Sequence, residues 1–304
     1  MHKLPENIVN LSAASTDTVP LTESMAGNCT LEVLRLDKID PVISGNKWFK
    51  LKYYLEQALA KGQNSVLSFG GAWSNHIVAT AFAARKAGLQ SIGIIRGERP
   101  ADFSPSLQKA AGAGMQLVFV SREAYNQKND PAFIKQLEDK YHHPCIIPEG
   151  GAGEPGIKGA TEITRLMKPG HYTHLLCAVG TGTLLAGLVQ GTTRNHQVIG
   201  IPVLKGFDNW LPPGIAETNR QRVKVLTGYH MGGYAKKNEQ LFEFMNRFYF
   251  KTHIPTDFVY TGKLFFSIFD LLKKNYFPAA SRLLAIHSGG LQGNDSLPPK
   301  TLVF

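Results

Sequence analysis

The chain has 304 residues, of which 43% are hydrophobic, so it is long enough to bury a large core and to form two domains or lobes. Lysine and arginine outnumber aspartate and glutamate by 33 to 23, a net charge of +10. The basic residues are scattered, however, and no nucleic-acid-binding signature accompanies them. The sequence therefore argues against a nucleic-acid-binding protein, and leaves an anionic small molecule or a merely basic surface to explain the charge.

The cysteines also limit the possibilities. Cys29, Cys145 and Cys177 are odd in number and far apart, and none belongs to a C-x-x-C pair. This pattern favours neither a disulfide framework nor a zinc site, so we expect a reducing cytoplasm and no metal. No stretch reaches the roughly 18 consecutive apolar residues of a membrane span, and the N-terminal segment does not resemble a signal peptide. We therefore expect neither export nor a membrane location.

From residue 46 onward, short β-branched segments alternate with helical patterns and are joined by glycines, which predicts an α/β fold with a parallel sheet covered by helices. A helix is predicted from Asn46, ending near Gly62. A strand at 65–69 and a helix at about 74–86 follow. Further strands are predicted at residues 91–95, 116–120, 174–179, 198–203 and 282–286.

Residues 148–159 (PEGGAGEPGIKG) are rich in glycine. Such a segment is typical of a crossing between lobes, of a loop that must approach something closely, or of a plain surface loop. We place the lobe boundary here. The predicted larger lobe contains residues 1–42 and 149–304, and the predicted smaller lobe contains residues 43–148.

The first candidate site is Lys47, which follows a glycine and lies in the first turn of the predicted helix (S-G-N-K). The helix dipole and an apolar neighbourhood there favour the neutral amine. A neutral amine can form an imine. On the segment alone, a solvated surface lysine is the commoner interpretation.

The second candidate site lies in residues 68–77 (SFGGAWSNHI), where a strand ends in two glycines and a helix begins with Ser74, Asn75 and His76. The free N–H groups of the helix, with the serine and asparagine side chains, could hold a carboxylate or a phenolate oxygen. Ser74 could also take part in proton transfer. Alternatively, Ser74 is an ordinary N-cap and His76 a hydrogen-bonded structural residue.

The third is residues 175–188 (LLCAVGTGTLLAGL), an apolar strand, a Gly/Thr turn and a helical segment. This layout is typical of a loop that cradles a phosphate at a helix N-terminus. The P-loop and dinucleotide spacings are absent, so a single phosphate fits better. The alternative is a tight turn whose glycines serve packing alone.

The fourth is Ser288 in residues 286–293 (IHSGGLQG), a hydroxyl at the predicted C-terminal end of a strand. Open parallel sheets bind their ligands at that end. Capping of the next helix would explain the serine equally well.

Together these segments resemble the fold-type II pyridoxal-phosphate enzymes, and among them the D-cysteine desulfhydrases and 1-aminocyclopropane-1-carboxylate (ACC) deaminases, over most of residues 30–293. The resemblance implies a tryptophan-synthase-β-like fold with two open, mainly parallel sheets flanked by helices, in a larger and a smaller lobe. It implies pyridoxal 5'-phosphate as the cofactor, Lys47 as its Schiff-base residue, Lys50 on its phosphate, and a homodimer.

The same resemblance implies roles for the other segments, including Tyr234 in G-G-Y and Tyr260 in V-Y-T-G-K, which would flank the substrate. Asn75 would meet the phenolic oxygen of the cofactor, and Ser288 its pyridine nitrogen. The implied catalytic residues are Lys47, Ser74, Tyr234 and Tyr260. The implied substrate-binding residues are Ser74, Asn75, His76, Tyr234, Tyr260 and Thr261. The implied cofactor-binding residues are Lys47, Lys50, Asn75, Gly180, Thr181, Gly182, Thr183, Leu184 and Ser288.

Thr261, Ser288 and His76 resemble the desulfhydrases more than the deaminases, whereas Gln292 departs from the usual family pattern. The resemblance thus implies β-elimination from a small amino acid, with D-cysteine giving pyruvate, ammonia and sulfide. The alternatives are an ACC deaminase that forms 2-oxobutanoate and ammonia, an enzyme for another amino acid such as D-serine, and a catalytically silent relative that still binds the cofactor.

Overall fold

The computed structural model describes residues 3–22, 28–207 and 210–304. Within them, ten strands form two sheets, and helices cover the sheet faces. The strands are β1 (Ser15–Val19), β2 (Thr30–Arg35), β3 (Ser65–Gly70), β4 (Gln90–Arg96), β5 (Gln116–Val120), β6 (Cys145–Ile147), β7 (His174–Val179), β8 (Gln197–Pro202), β9 (Val223–Val225) and β10 (Arg282–His287). The α-helices are α1 (Asn46–Ala60), α2 (Asn75–Lys86), α3 (Pro105–Gly112), α4 (Arg122–Asn126), α5 (Pro131–Lys140), α6 (Glu154–Thr161), α7 (Thr183–Gln190), α8 (Glu239–Thr252) and α9 (Thr261–Lys273).

The larger sheet has the strand order β1-β2-β10-β7-β8-β9, and the smaller sheet has the order β5-β4-β3-β6. All pairs are parallel except β1 with β2. The predicted α/β fold with two mainly parallel sheets is therefore confirmed. The smaller sheet uses only residues between 65 and 147. This agrees with a smaller lobe at residues 43–148, a division that stays a prediction.

Strand β7 shows how the larger sheet is held between two apolar cores. Leu175 and Cys177 pack into one core, together with Phe49 from α1. Leu176 and Ala178 point to the opposite face and pack into a second core with residues of α8 and α9. Because both faces are covered, the strand is apolar along its whole length rather than alternating with polar residues.

The strands predicted after residue 46 all form, with ends shifted by at most one residue. Strands β1, β2, β6 and β9 were not predicted. The glycine-rich segment 148–159 is also more ordered than a loop, because helix α6 begins inside it with a proline in its first turn. A Cβ atom at Gly159 would overlap the carbonyl oxygen of Phe49, so this glycine lets α6 approach α1 closely.

Candidate membrane spans were searched among the described residues. None of their helices is both long and apolar enough to cross a bilayer.

Candidate active site

All of the predicted site residues except Thr183 and Thr261 meet at the carboxyl ends of strands from both sheets, where β3, β7 and β10 end and helices α1, α2 and α7 begin. They line a cavity of about 480 Å³. This is where ligands bind in open α/β sheets. The predicted residues in its wall are Lys47, Lys50, Ser74, Asn75, His76, Gly180, Thr181, Gly182, Leu184, Tyr234, Tyr260 and Ser288.

Gly45 explains how Lys47 reaches this cavity. Its φ angle of +67° is in the left-handed region, and a Cβ atom there would overlap the carbonyl group of Ser288. The amide of Asn46 donates to that same carbonyl at 3.2 Å. The start of α1 is therefore fastened to the end of β10, which places Lys47 beside Ser288.

Two lysines share the floor of the cavity. The Lys47 Nζ donates to Asn46 Oδ1 at 2.8 Å and lies 5.7 Å from the centre of the Tyr260 ring. Burial lowers the pKa of Lys47 to about 8, against the opposing effect of Asp257. Burial and then the charge of Lys47 lower the pKa of Lys50 to about 7. At pH 7, Lys50 is therefore about half neutral and Lys47 about one-tenth neutral.

The start of α2 lies at the edge of the cavity. Ser74 is its N-cap, since its Oγ accepts from the amide of Ile77 at 3.3 Å, and it also lines the cavity. Asn75 donates from Nδ2 to the carbonyl of Gly290 at 3.1 Å. Its buried Oδ1 has no hydrogen-bond partner in the described part of the chain. A buried acceptor of this kind is expected to meet a bound donor.

His76 is neutral in this structure. Ser68 Oγ donates to the carbonyl of Ile147 at 2.8 Å and lies 2.8 Å from His76 Nε2, so we assign the proton to Nε2. Burial, then the charges of Lys47 and Lys50, lower the pKa of His76 to about 3. The buried Nδ1 is an acceptor without a partner among residues 3–22, 28–207 and 210–304.

The Gly/Thr turn leads into α7 as the phosphate-loop prediction required. Gly182 has the left-handed φ angle of +83° and precedes the free N–H groups of the first turn of the helix. The hydroxyls of Thr181 and Thr183 lie 2.9 Å apart. Thr183, however, is buried and lines a neighbouring groove instead of the cavity that contains Lys47.

Tyr234 and Tyr260 lie together on one wall, with ring centres 6.3 Å apart and planes at 72°. Burial, followed by the influence of Tyr234, raises the pKa of Tyr260 well above its ordinary value. The hydroxyl of Tyr260 therefore stays protonated at neutral pH and can donate a proton or a hydrogen bond. Tyr234 is 46% exposed and lies towards the entrance.

The structure does not bring Thr261 into the cavity, although the sequence assigned it to substrate binding. The residue is 0% exposed, and its hydroxyl donates to Asp257 Oδ1 at 2.7 Å while accepting from the Asp257 amide at 2.8 Å. Its role in this geometry is to hold Asp257. The physical reason is its place in the first turn of α9, where its side chain points towards Asp257.

Asp257 is a residue that the sequence analysis missed. It is 0% exposed, and its carboxylate accepts from the amides of Val259, Tyr260 and Thr261 at 2.9 to 3.0 Å. These bonds fix the start of α9 and with it the ring of Tyr260. Asp257 lies four residues before the first residue of α9, and Tyr260 occupies the N-cap position, so the usual N-cap pattern does not identify it.

Lys263 was missed as well. It is fully buried, and its Nζ donates to the carbonyls of His230 and Gly233, each at 2.9 Å. Burial lowers its pKa to about 8. The two bonds hold the loop that carries Tyr234 against the helix that follows Tyr260, so the lysine orders both tyrosines without touching the cavity.

A polar cluster lies behind Ser288. His287 Nε2 donates to the carbonyl of Pro255 at 2.7 Å, and its Nδ1 lies 3.2 Å from Asp37 Oδ1. Burial opposes ionisation of Asp37, but His287 and then Arg35 outweigh it and lower the pKa of that carboxyl group. The end of β10 is thus held by charged groups on the side away from the cavity.

Two charged residues at the cavity entrance were also missed, Arg96 at the end of β4 and Glu149 just after β6. Tyr125 donates to Glu149 Oε1 at 2.9 Å. Both residues follow the ends of parallel strands, so the strand-end rule that identified Ser288 would have found them too.

Comparison with known proteins identifies the group to which this cavity belongs. The family model described as pyridoxal-phosphate dependent enzyme matches residues 15–289. The chain belongs to this family of pyridoxal-phosphate-dependent enzymes. Its cofactor is pyridoxal 5'-phosphate.

Several relatives in the pyridoxal-phosphate family agree with this membership. A protein of Pyrococcus abyssi named "Putative 1-aminocyclopropane-1-carboxylate deaminase" is 31% identical over 270 residues, 83% of this chain and 81% of that one. The mitochondrial bifunctional D-cysteine desulfhydrase/1-aminocyclopropane-1-carboxylate deaminase of Arabidopsis thaliana is 27% identical over 283 residues, 83% of this chain and 70% of that one. The chain therefore belongs to the ACC deaminase and D-cysteine desulfhydrase group of the family.

A solved structure described as an ACC deaminase homologue superimposes with a TM-score of 0.76 and 25% identity, covering 92% of this chain and 90% of that one. The neighbours are fold-type II pyridoxal-phosphate enzymes, which confirms the fold class predicted from the sequence.

Proposed function

We propose that this pyridoxal-phosphate enzyme is a lyase that eliminates the β-substituent of a small amino acid, and that D-cysteine gives pyruvate, ammonia and sulfide. The observation that carries the proposal is Lys47, which lines the same cavity as Ser74, Asn75 and Ser288. Its pKa of about 8 leaves part of its amine neutral. A relative at 27% identity has both desulfhydrase and deaminase in its name, which supports the same reaction class.

The residues of the cavity fit the cofactor. Lys47 would hold it covalently, because a neutral amine is the form that reacts with an aldehyde. The turn at residues 180–184, with the N-terminus of α7 and the amine of Lys50, would receive the phosphate. Asn75 and Ser288 would meet the ring. The unpartnered acceptors Asn75 Oδ1 and His76 Nδ1 support this fit, since both residues line the cavity and neither atom has a donor in the described chain.

The cofactor supplies an electron sink for the pair released at Cα, and the residues of the chain select which bond breaks. Lys47 can take the Cα proton, since its pKa of about 8 makes it an effective base near neutral pH. The N-terminus of α2, at Ser74 and Asn75, can orient the substrate carboxylate through its free N–H groups.

Tyr260 is placed to assist the leaving group. Its raised pKa keeps the hydroxyl protonated, and its ring lies 5.7 Å from the Lys47 Nζ. Proton donation to the departing sulfur would release hydrogen sulfide from D-cysteine. The remaining enamine takes up water and yields pyruvate and ammonia, which balances the reaction.

ACC deamination is the second candidate. The paired tyrosines favour it, because opening a cyclopropane ring needs a nucleophile or an acid at a ring carbon and Tyr234 and Tyr260 lie beside Lys47. The name of the Pyrococcus abyssi relative supports it too. In this case the product is 2-oxobutanoate, and no sulfide forms from D-cysteine.

The test begins with the purified protein and added pyridoxal phosphate. We expect a visible absorbance band that borohydride fixes as a mass increase on Lys47, with Lys47→Ala losing both the band and at least about a thousandfold in turnover. Lys61→Ala is the matched control, an exposed lysine just after the same helix. A colourless wild-type protein would contradict the proposal.

Products then separate the candidates. Sulfide and pyruvate from D-cysteine support the lyase, 2-oxobutanoate from ACC supports the deaminase, and absorbance without either product directs the search to D-serine or to a silent relative. The predicted homodimer can be checked on the same preparation by size-exclusion chromatography with light scattering.

A further inference from the structure

We propose that Arg96 makes the cavity entrance a binding site for an anionic group on the substrate's β-substituent. The preferred substrates would then be β-thioether amino acids whose leaving thiol carries a carboxylate, with D-cysteine as the unsubstituted parent thiol. The inference rests on the proposed β-elimination, because it places the reacting amino acid between Lys47 and the Ser74 turn.

The guanidinium group of Arg96 has no polar partner among the described residues. It lines the cavity entrance at the end of β4 and is exposed. Across residues 3–22, 28–207 and 210–304, its donors make no hydrogen bond and no ion pair, and its one ring contact is with Tyr125, 5.9 Å from Cζ to the ring centre. By contrast, Arg35 is engaged by two aspartates. Arg96 thus presents its planar set of donors to a ligand.

The position of Arg96 suits the far end of a substrate. Its Nη2 lies 3.8 Å from where a Cβ atom would stand at Gly71. The carbonyl of Gly71 accepts from the amide of Ser74 at 3.0 Å, so the guanidinium stands over the turn that would orient the amino acid. Because residue 71 has no side chain, the space between this turn and Arg96 is open.

The surrounding charges leave the entrance positive. Glu149 is the nearby acid, but its Oε1 accepts from Tyr125 at 2.9 Å and its Oε2 lies 3.6 Å from the Lys128 Nζ. Lys128 therefore balances Glu149, and the charge of Arg96 remains. The ring of Tyr125 is buried and fixed by Glu149, so it forms a stable platform beneath the guanidinium.

The walls of the entrance suit the middle of such a substituent. Trp73 and Tyr234 line the cavity and are 43% and 46% exposed. Aromatic faces of this kind pack against methylene and thioether groups. The volume of about 480 Å³ lies within the range of small-molecule sites. The arrangement suits a substituent whose thioether lies between the Trp73 and Tyr234 rings and whose carboxylate reaches the Arg96 guanidinium.

The reaction for such a substrate balances with water as the one other reactant. In S-carboxymethylcysteine, Lys47 takes the Cα proton and the Cβ–S bond breaks, with the electron pair leaving on sulfur as the thiolate of thioglycolate. The enamine takes up one water molecule to give pyruvate and ammonia. Arg96 would bind the thioglycolate carboxylate before and after the bond breaks.

The experiment uses two ligands of the same shape that differ in charge. S-carboxymethyl-DL-cysteine and S-carbamoylmethyl-DL-cysteine are titrated into the cofactor-loaded enzyme, and dissociation constants are read from the change in cofactor absorbance. We expect wild type to bind the carboxylate about tenfold more tightly than the amide, the effect of one charge-assisted contact. Thiol release should show the same preference.

Variants assign that preference to one side chain. Arg96→Gln should bind the two ligands equally, whereas Arg96→Lys should keep part of the preference because it keeps the charge. Arg99→Gln is the matched control, since Arg99 is also exposed and lies over a ring, that of Phe103, but does not line the cavity. It should behave as wild type.

Each contrary outcome has a separate meaning. Equal affinity of wild type for the two ligands overturns the inference and leaves the lyase proposal standing. An equal loss for both ligands in Arg96→Gln also overturns it, because it places Arg96 on the α-carboxylate. A wild-type protein without cofactor absorbance, seen before any amino acid is added, refutes the proposed function and the inference with it.

Discussion

The floor and the entrance of the cavity are built in opposite ways. Beneath the floor, Asp257 and Lys263 are fully buried and hydrogen-bonded. They hold in place the wall that contains Tyr234 and Tyr260. At the entrance, Arg96 is exposed and has no polar partner in the described chain. Rigid, fully bonded surroundings suit the positioning of reacting atoms. A free cation between aromatic walls suits the choice of substrate.

Asp257→Asn should destabilise the rigid surroundings of the floor, with the largest loss of stability among these variants. The amide nitrogen would face amide donors that now bind a carboxylate oxygen, so we expect the free energy of unfolding to fall by about 4 kcal/mol, measured by urea denaturation. Asp295→Asn is the control, because Asp295 is a surface residue paired with Lys109. An equally small change in both variants would mean that the carboxylate does not fix the floor.

Gly45→Ala tests the link between α1 and β10. The new Cβ would overlap the Ser288 carbonyl in a left-handed backbone, and we expect a loss of about 3 kcal/mol in unfolding free energy together with weaker cofactor binding. Gly62→Ala has the same φ of +67° but open space around it, so it should lose only about 1 kcal/mol. Equal losses would show that the contact with Ser288 contributes nothing.

The buried amines predict a pH effect on the cofactor-free protein. Folding lowers the pKa of Lys47 from 10.5 to about 8 and that of Lys50 from 10.5 to about 7. From about pH 7 upward the unfolded chain therefore binds more protons than the folded one, so stability rises with pH. Between about pH 7 and 9 we expect a gain of about 2 kcal/mol from Lys50 and about 1 kcal/mol more from Lys47.

Variants of the same helix region test the source of this gain. Lys50→Met should remove most of it, and Lys61→Met, which changes an exposed lysine, should keep it. Unfolding curves at several pH values give the answer. If the rise in stability with pH persists in Lys50→Met, the Lys50 amine is hydrated in the folded protein. The floor would then be open to water, as the entrance is.

Trp73→Ala should have the smallest effect on stability, within about 0.5 kcal/mol, because the side chain is 43% exposed. At the entrance it should instead raise KM for S-carboxymethylcysteine by about threefold, the value of one aromatic contact, with kcat nearly unchanged. Steady-state kinetics measure both. A parallel fall in kcat would show that the entrance is not separate from the chemistry.

The sequence predicted those parts of the site that are encoded locally. Lys47, Ser74 and the turn at residues 180–184 each lie where a glycine joint precedes a helix start, and such joints are visible in a few consecutive residues. The strands on either side are apolar runs, which are equally visible. The family resemblance then added the two tyrosines.

Other features depend on contacts between distant segments, or are too short to give a pattern. Arg96 and Glu149 are 53 positions apart and meet only because β4 and β6 flank β3 in one sheet. Strand β9 has three residues, too few for a period to appear. A tyrosine-threonine pair does not reveal which side chain faces the cavity, and the hydrogen bond with Asp257 directs the Thr261 hydroxyl away from it.

The contact of Gly45 with Ser288 also bears on the order of events during synthesis. Strand β10 lies between β2 and β7, so the larger sheet closes only after residues near the end of the chain have been added. A nascent chain on the ribosome already contains Lys47 but lacks the surface against which α1 is fastened. We therefore expect cofactor retention only after β10 has been synthesised, and a chain truncated before residue 282 would contain the reactive lysine without its site.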